Sequence, residues 1–155
     1  MTPGINTAKK AKIFYKVHEY THDSSNISYG AEAAEKMGVP EERVFKTLLV
    51  SLDGKELAVG VVPVSSKLNM KLIAKATGAK KAEMAVTSDV ERSTGYVLGG
   101  VSPLGQKRKL KTLIHSLATQ HSTIFISAGR RGLEIELKPS DLERLVNGKF
   151  AEICQ

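Results

Sequence analysis

Apolar and polar residues alternate along the chain in a pattern that predicts many short strands. Two apolar runs, "VFKTLLVSL" and "KELAVGVVPV", flank Asp53-Gly54, a dipeptide typical of a two-residue hairpin turn. Further strands are expected at 13–20 and in "LKTLIHS", "TIFISAG", "GLEIEL" and "FAEI", which are rich in apolar and β-branched residues. "YVLGGVSPLG" is predicted to be a short strand that runs into a glycine-proline loop.

Capping residues and glycines indicate where the helices begin and end. The stretch after Thr2-Pro3 is expected to be helical to about Lys12, because threonine is a favoured N-cap and proline suits the first turn. "SYGAEAAEKMG" and "NMKLIAKATG" are predicted helices that end in glycine, the second one capped by Asn69. A serine followed by glutamate three residues later predicts capping boxes that open the helices in "SDVERSTG" and "PSDLERLVNG".

Interleaved strands and helices with at least one hairpin predict a mixed α/β (α+β) fold. The hairpin requires an antiparallel pair, so the sheet is expected to be mixed and largely antiparallel. No repeat, linker or low-complexity tract interrupts the pattern. We therefore expect the 155 residues to form a single domain over 1–155.

Composition and charge limit the cellular compartment and the class of binding partner that we expect. Cys154 is the single cysteine, and no stretch approaches 18 apolar residues, so a cytoplasmic protein without membrane contact is expected. The net charge is +7, and basic residues cluster at 9–12, 80–81, 107–111 and 130–131. Such clusters suit the phosphates of a nucleic acid, although any one of them is also explained as a solvated surface. Tryptophan is absent and aromatic residues make up 5%, which argues against a base-stacking platform.

The stretch "HEYTH", from His18 to His22, matches the H-E-x-x-H pattern of zinc metalloproteases. Zinc binding by this pattern requires both histidines on one helical face, one turn apart. The surrounding residues favour a strand, in which the two histidines would lie roughly 13 Å apart. No third ligand is evident, because His115 and His121 lie in or beside other strands and Cys154 is near the end. The sequence therefore predicts no metal site.

Three segments contain residues that packing does not readily explain. Lys46, in "VFKTLLV", is either a solvated strand end or a cation held at the edge of a cleft. "STGYVLGGVSPLGQKRK" is either a tight turn or a glycine-rich loop whose N–H groups face an anion or an oxyanion. "SAGRRGLEIEL" is either a hairpin with a basic surface or part of a site. None of them forms a Ser-His-Asp set, a Walker loop or a dinucleotide-binding fingerprint.

In their order and spacing, the three segments resemble the YbaK family of aminoacyl-tRNA deacylases, which are related to the editing domain of bacterial prolyl-tRNA synthetases. The resemblance covers nearly the whole chain, including "HEYTHD", "GAEAAEKMGV" and "PSDLERLV". It implies a mixed sheet that closes toward a barrel with helices around it. It also implies a cofactor-free enzyme that removes cysteine from Cys-tRNA(Pro), with Cys-tRNA(Cys) as a further candidate. The implied partners are tRNA and prolyl-tRNA synthetase.

The resemblance also assigns roles to residues of the three segments. Lys46 matches the essential lysine of the family, and the loop from Gly99 to Pro103 shapes the aminoacyl pocket. The candidate catalytic residues are Lys46, Gly99, Gly100 and Ser127. The candidate substrate-binding residues are Tyr20, Thr47, Val101, Ser102, Pro103, Gly129, Arg130 and Arg131.

The implied mechanism needs no nucleophile from the enzyme, because the thiol of the substrate attacks its own ester carbonyl and leaves as a cyclic thiolactone. A free thiol has a pKa of about 8.5, so some thiolate is present at neutral pH. N–H groups from Gly99 to Ser102 would stabilise the oxyanion, and Lys46 would anchor the terminal adenosine phosphate or the carbonyl. Two alternatives stay open: a non-catalytic tRNA- or synthetase-binding module on the same fold, and a deacylase for another misacylated tRNA such as Ala-tRNA(Pro).

Overall fold

The computed structural model of the chain describes residues 1–23, 25 and 29–155. In this part of the chain, helices and strands alternate as the sequence pattern predicts. The helices are α1 Pro3–Ala11, α2 Tyr29–Met37, α3 Met70–Thr77, α4 Thr87–Thr94 and α5 Pro139–Leu145. The strands are β1 Tyr15–Glu19, β2 Phe45–Leu52, β3 Glu56–Pro63, β4 Ala82–Met84, β5 Lys111–His115, β6 Ile124–Arg130, β7 Leu133–Leu137 and β8 Lys149–Ala151. Short 3-10 helices lie at Glu41–Arg43 and Ser116–Gln120.

The strands form two sheets. The smaller sheet has the order β1-β7-β6 and is antiparallel throughout. The larger sheet has the order β4-β2-β3-β5-β8, in which β2 pairs antiparallel with β3 and β4 while β3-β5 and β5-β8 are parallel. The predicted hairpin at Asp53-Gly54 joins β2 to β3, and both of its residues have positive φ, as this turn requires. The prediction of a mixed, largely antiparallel α/β fold is confirmed.

The two sheets do not close into the barrel that the resemblance implies. They meet where Val44, just before β2, forms a parallel bridge with Phe125 of β6. Beyond this bridge, β2 pairs with β3 along its whole length and with β4 only over Val50–Leu52. β6 pairs with β7 on its other edge, and among the described residues only this bridge joins β6 to the start of β2, so the two strands diverge after it. A gap between the sheets opens at this point.

The main core lies between the two sheets. It is built from buried residues of both sheets together with α1, α4 and α5, including Ile5, Phe45, Leu49, Val59, Val90, Ile114, Ile126, Ile135 and Leu142. A second cluster, including Val50, Val62, Ile73 and Ile153, packs α3 against the other face of the larger sheet. Burial of this apolar surface provides the main favourable free energy of folding.

Two helix starts agree with the sequence and two do not. The Thr2 hydroxyl accepts from the Ile5 N–H, and Asn69 Oδ1 accepts from the Leu72 N–H, so both predicted caps are confirmed. The predicted capping boxes are wrong, because the serines of both lie inside the helices rather than at their N-caps. The N-cap of α4 is Val86, two residues after the end of β4, and Pro139 fixes the first helical position of α5.

The predicted strand in "YVLGGVSPLG" is wrong as well: residues 96–106 form a closed loop. The hydroxyl of buried Tyr96 donates to the carbonyl of Leu104 over 2.6 Å. The Gly100 N–H donates to the Val97 carbonyl, which makes a turn where a strand was expected. An apolar run alone does not make a strand, since it also needs a neighbouring strand with which to pair.

Candidate functional site

A cavity of about 370 Å³ occupies the gap between β2 and β6. This volume falls within the roughly 300–1,000 Å³ typical of small-molecule sites. β2 and β6 form two of its walls, α2 closes a third side, and the β4–α4 segment with the loop after α4 closes the fourth. Eight of the predicted site residues line it: Tyr20, Lys46, Thr47, Gly99, Val101, Ser127, Arg130 and Arg131.

Lys46 and Thr47 are brought to the cavity by the start of β2. Thr47 Oγ1 is buried and has no hydrogen-bond partner among the described residues. An unpaired buried hydroxyl costs free energy, about 1–3 kcal/mol, unless a ligand supplies the partner. The Val64 N–H donates to the Val44 carbonyl, so the backbone groups of Val44 face β3. In an antiparallel pair this orientation alternates from one residue to the next. Thr47 is three residues further on, so its backbone N–H and C=O point away from β3. Thr47 therefore offers polar groups on the side of the gap.

Cys154 lies near Lys46 but is not suited to act as a nucleophile. Burial raises the pKa of its thiol to about 11, although the Lys46 charge acts in the opposite direction. The side chain is buried and belongs to the cluster on the far face of the larger sheet. A thiol with such a pKa is almost entirely protonated at neutral pH.

Ser127 and Glu134 face each other across the smaller sheet, in register on β6 and β7. Cross-strand neighbours of this kind have Cβ atoms about 4.5–5.5 Å apart. Glu134 is 7% exposed and lines the cavity. Burial raises the pKa of its carboxyl to about 8, so the group holds its proton at neutral pH when the cavity is empty.

Sequence reasoning missed Glu134. In "GLEIEL" the glutamates alternate with apolar residues, which is also the pattern of a half-exposed strand. The face that carries Glu134 is covered by α2 and β2, and only the tertiary fold reveals this. The pairing with Ser127 could have pointed to it, since a hairpin turn at 131–132 brings these two residues together.

A bulge in β6 follows Ser127 and directs the next residues toward the cavity mouth. Pairing with β7 shifts between Ser127 and Arg130, and Gly129 has φ +119°. A Cβ at Gly129 would lie 2.6 Å from the Tyr96 ring, so glycine is required here for space as well as for conformation. Gly129 itself does not line the cavity, whereas Arg130 does, and the Arg130 side chain is 57% exposed.

Arg131 is held at the cavity by a chain of polar groups. Arg131 Nη1 contacts His22 Nε2, and His22 Nδ1 lies 2.6 Å from Glu32 Oε1. Because a guanidinium only donates, Nε2 must accept, and the imidazole proton on Nδ1 is then donated to Glu32. Glu32 is 1% exposed and also bonds to Lys36 and to the Asp23 N–H. Burial acts to raise the pKa of Glu32, but these partners lower it overall, so the group is ionised.

Tyr20 follows β1 and lines the cavity beside Glu134. Burial, with the Glu134 carboxyl as a further cause, raises the pKa of its phenol to about 12. Tyr20 is therefore a neutral hydroxyl, able to donate a hydrogen bond to a ligand but not to act as a base.

The glycine loop is only partly directed at the cavity. Gly99 and Val101 line it, whereas Gly100, Ser102 and Pro103 do not. The Gly100 N–H is already used within the loop, by the Val97 carbonyl. Ser102 is fully buried, and its Oγ accepts from the Leu104 N–H over 3.2 Å. Of the predicted loop residues, only Gly99 and Val101 can therefore contact a ligand in the cavity, a narrower set than the sequence predicted.

The H-E-x-x-H match lies in a strand and the residues after it, as the composition predicted. His18 is in β1, and its Nε2 lies 2.8 Å from Glu136 Oε1, while His22 bonds to Glu32. Among the described residues no group of three or more histidine, cysteine, aspartate or glutamate side chains is placed to hold a metal ion. The two histidines position carboxylates and an arginine instead.

Comparison with known proteins identifies the family. Residues 25–145 match the family described as aminoacyl-tRNA editing domain. The chain is 39% identical over 152 residues to an Enterococcus faecalis protein provisionally named Cys-tRNA(Pro)/Cys-tRNA(Cys) deacylase EbsC, covering 98% of this chain and 92% of that one. It is 31% identical over 101 residues to the proline–tRNA ligase of Maridesulfovibrio salexigens, covering 65% of this chain and 17% of the ligase.

A solved structure extends the comparison to the fold. A protein described as a candidate trans-editing enzyme for prolyl-tRNA synthetase superposes with a TM-score of 0.85 at 20% identity, over 100% of this chain and 99% of that one. The protein belongs to the aminoacyl-tRNA editing domain family, so the family expected from the three segments and its enzyme class, aminoacyl-tRNA deacylase, are confirmed. No helix among the described residues is long and apolar enough to cross a membrane.

Proposed function

We propose that the protein removes cysteine from Cys-tRNA(Pro) in trans. The observation that carries this proposal is the presence of two polar groups in one cavity: the buried Thr47 hydroxyl, which has no partner among the described residues, and the Glu134 carboxyl, whose pKa burial raises to about 8. An aminoacyl ester has a polar group to offer each of them. Its carbonyl oxygen can accept from the threonine, and its α-ammonium can pair with the glutamate.

Glu134 is proposed to bind the α-ammonium of the substrate. A buried carboxyl with a pKa of about 8 is neutral when the cavity is empty, but a cation beside it favours ionisation. Substrate binding would then convert Glu134 to a carboxylate and form a buried ion pair. This arrangement selects an α-amino acid ester over an ester without an amino group.

Lys46 and the N–H groups at the cavity are proposed to stabilise charge on the reacting carbonyl. Lys46, Gly99 and Val101 all line the cavity, and developing negative charge is best stabilised by donors already in place. Ser127 Oγ accepts from the Gly129 N–H over 3.1 Å, which leaves its own proton free to be donated to the substrate. No described side chain at the cavity is suited as an activated nucleophile, which supports the use of the substrate's own thiol.

In the proposed reaction the thiolate of the cysteinyl group attacks its own ester carbonyl. A carbon–sulfur bond forms, the bond from the carbonyl carbon to the ribose oxygen breaks, and that oxygen takes up a proton in place of the one that the thiol released on forming the thiolate. The products are a cyclic thiolactone and tRNA with a free hydroxyl. The cavity contributes by holding the thiol close to the carbonyl, which lowers the entropic part of the activation free energy.

The proposed partner that supplies the substrate is prolyl-tRNA synthetase. A synthetase pocket distinguishes side chains that differ by one methylene by only about 1–3 kcal/mol, so a second site that deacylates the mischarged tRNA improves accuracy. The similarity to a stretch of a proline–tRNA ligase supports this partner. The tRNA itself would be held by its phosphates. Arg130 at the cavity mouth forms an exposed ion pair with Glu19, with 3.3 Å between Nη2 and Oε2, and would exchange this carboxylate for a phosphate.

The test is deacylation of Cys-tRNA(Pro) and Ala-tRNA(Pro), each with and without prolyl-tRNA synthetase. Cysteine release from the first substrate by the wild type is expected, with loss of this activity in Lys46→Ala. Lys55→Ala, a change of an exposed lysine of the same hairpin, is the matched control and should leave turnover intact. Preference for the alanyl substrate would reassign the specificity, and inactivity on both would favour a non-catalytic binding module.

Ser127→Ala separates two versions of the chemistry. If the substrate thiol is the nucleophile, this variant should be slower, and no covalent enzyme adduct should be visible by mass spectrometry in either protein. If mass spectrometry detects a cysteinyl group esterified to Ser127 of the wild type during turnover, the reaction proceeds through an acyl-enzyme and not through the substrate thiol.

A further inference from the structure

The cavity has two chemically different sides. Tyr20, Ser127, Arg130, Arg131 and Glu134 provide polar groups from the smaller sheet and the residues next to it. The opposite side, formed by β4, α4 and the loop after α4, is apolar and consists of Met84, Ala85, Val90 and Leu98. A cysteinyl group is small and polar, so this apolar wall is more than the proposed aminoacyl group requires.

Two residues of the apolar wall extend to the cavity mouth. Met84 is 50% exposed and Leu98 is 57% exposed, and both line the cavity, whereas Val90 beneath them is buried. Leu98 is held in place by its N–H, which donates to the Glu91 carboxylate over 3.3 Å. An exposed apolar surface that continues the wall of a cavity is typical of a ligand-binding surface.

We infer that Met84 and Leu98 form the subsite for the terminal adenine base of the tRNA. This inference rests on the proposed function, because an aminoacyl ester in the cavity has its ribose at the mouth. The base attached to that ribose must lie on one of the surfaces next to the mouth. Gly100 packs directly against the Arg130 backbone, with a Cβ position 3.0 Å from the Arg130 Cα, so the apolar and cationic sides of the mouth are adjacent.

This adjacency suits one nucleotide in a defined orientation. The flat, weakly polar base would lie on the leucine and methionine side chains, and the phosphate would be directed toward Arg130. Aromatic side chains normally supply such a surface for bases, but this chain contains no tryptophan, and Tyr20 lies on the polar side of the cavity. Aliphatic contact recognises the face of the base without reading its edges, which is sufficient for an end that every tRNA shares.

The test compares Met84→Ala and Leu98→Ala with Val97→Ala. Val97 is 66% exposed and adjacent to Leu98 but does not line the cavity, so it is a matched control. Titration of each protein with adenosine, followed by NMR, measures the subsite directly and does not depend on deacylation. We expect adenosine to bind the wild type and Val97→Ala equally, and to bind the other two variants about five- to tenfold more weakly.

Kinetics with two substrates assign the effect to the base. With 3′-cysteinyl-adenosine, Leu98→Ala should raise KM about five- to tenfold and leave kcat unchanged. With cysteine methyl ester, which has no base, the variant should behave like the wild type. Equal losses on both substrates, equal losses in Val97→Ala, or unchanged adenosine binding in Met84→Ala and Leu98→Ala would overturn the subsite. If the protein releases no cysteine at all, the proposed function fails, and the adenosine titration still decides the subsite.

Discussion

Glu134→Gln should change how the stability of the protein depends on pH. Glu134 is 7% exposed, and burial raises the pKa of its carboxyl from 4.5 to about 8. Between these two values the folded protein retains a proton that the unfolded chain has released, so the wild type loses stability as pH rises through this window. Each pH unit corresponds to about 1.4 kcal/mol, which makes roughly 5 kcal/mol the upper limit for the whole window.

The assay is urea denaturation of the wild type and the variant at pH 5.5 and pH 7.5. Because glutamine has nearly the same shape but does not ionise, the variant should gain roughly 3 kcal/mol relative to the wild type between these two conditions. Glu136→Gln is the matched control on the same strand. Burial acts to raise the pKa of Glu136, but hydrogen bonds from Thr123 and His18 and the charge of Arg43 lower it overall. Because Glu136 also pairs with His18, whose charge can change with pH, a second control is Glu35→Gln, a change of an exposed glutamate of α2, which should alter the stability equally at both conditions.

Parallel stability profiles of wild type and Glu134→Gln would refute the reasoning. They would mean that the carboxyl has an ordinary pKa and is hydrated in the empty cavity. The proposed pairing with the α-ammonium would then lose its physical basis, because no burial cost would be relieved by the substrate.

Three further predictions concern the cavity and its surroundings. Thr47→Val should raise the thermal midpoint of the free protein, because it removes an unpaired buried hydroxyl that destabilises the fold by about 1 kcal/mol. The same change should raise KM for Cys-tRNA(Pro), and an unchanged KM would exclude a contact between Thr47 and the substrate. Gly129→Ala should destabilise by about 2–3 kcal/mol in urea titrations, while Gly38→Ala, also at positive φ but with no atom within 4 Å, should cost less, and equal losses would contradict the steric argument. The affinity of wild type for tRNA(Pro), measured by filter binding, should fall steeply between low and physiological salt, and Arg130→Ala should flatten that dependence; identical slopes would remove Arg130 from the phosphate contacts.

The local elements could largely be predicted from the sequence because they depend on near neighbours. The Asp53-Gly54 turn and the Asn69 cap involve residues a few positions apart, and both are present in the structure. The capping-box predictions failed because both helices begin earlier than predicted. Their N-caps are Val86, just after β4, and Lys138, just before Pro139, each two residues before the predicted serine. The strand after Tyr96 failed because its hydroxyl and the following turn close the segment into a loop.

The sequence predicted only those site residues that belong to a motif of the family. Lys46, Ser127 and Gly99 lie at one cavity, as the family resemblance implies. Ser102 was included for its position in the glycine loop, but its hydroxyl is committed to the backbone of that loop. Glu134 was missed because its surroundings come from α2 and β2, which are distant in sequence. Burial of a charged residue is a property of the tertiary fold, and strand periodicity alone does not reveal it.

The first helix supports the back of the site from the far end of the sequence. The Thr2 hydroxyl bonds to the carbonyl of Ala128 in the β6 bulge, and Gly4 approaches both that carbonyl and the Ser102 hydroxyl so closely that a Cβ would be 2.9–3.0 Å from each. Thr2 and Gly4 lie outside the stretch 25–145 that matches the editing family. A version of the protein trimmed to the matched stretch would therefore keep every cavity-lining residue except Tyr20, and would lose the contacts by which Thr2 and Gly4 support the β6 bulge from behind.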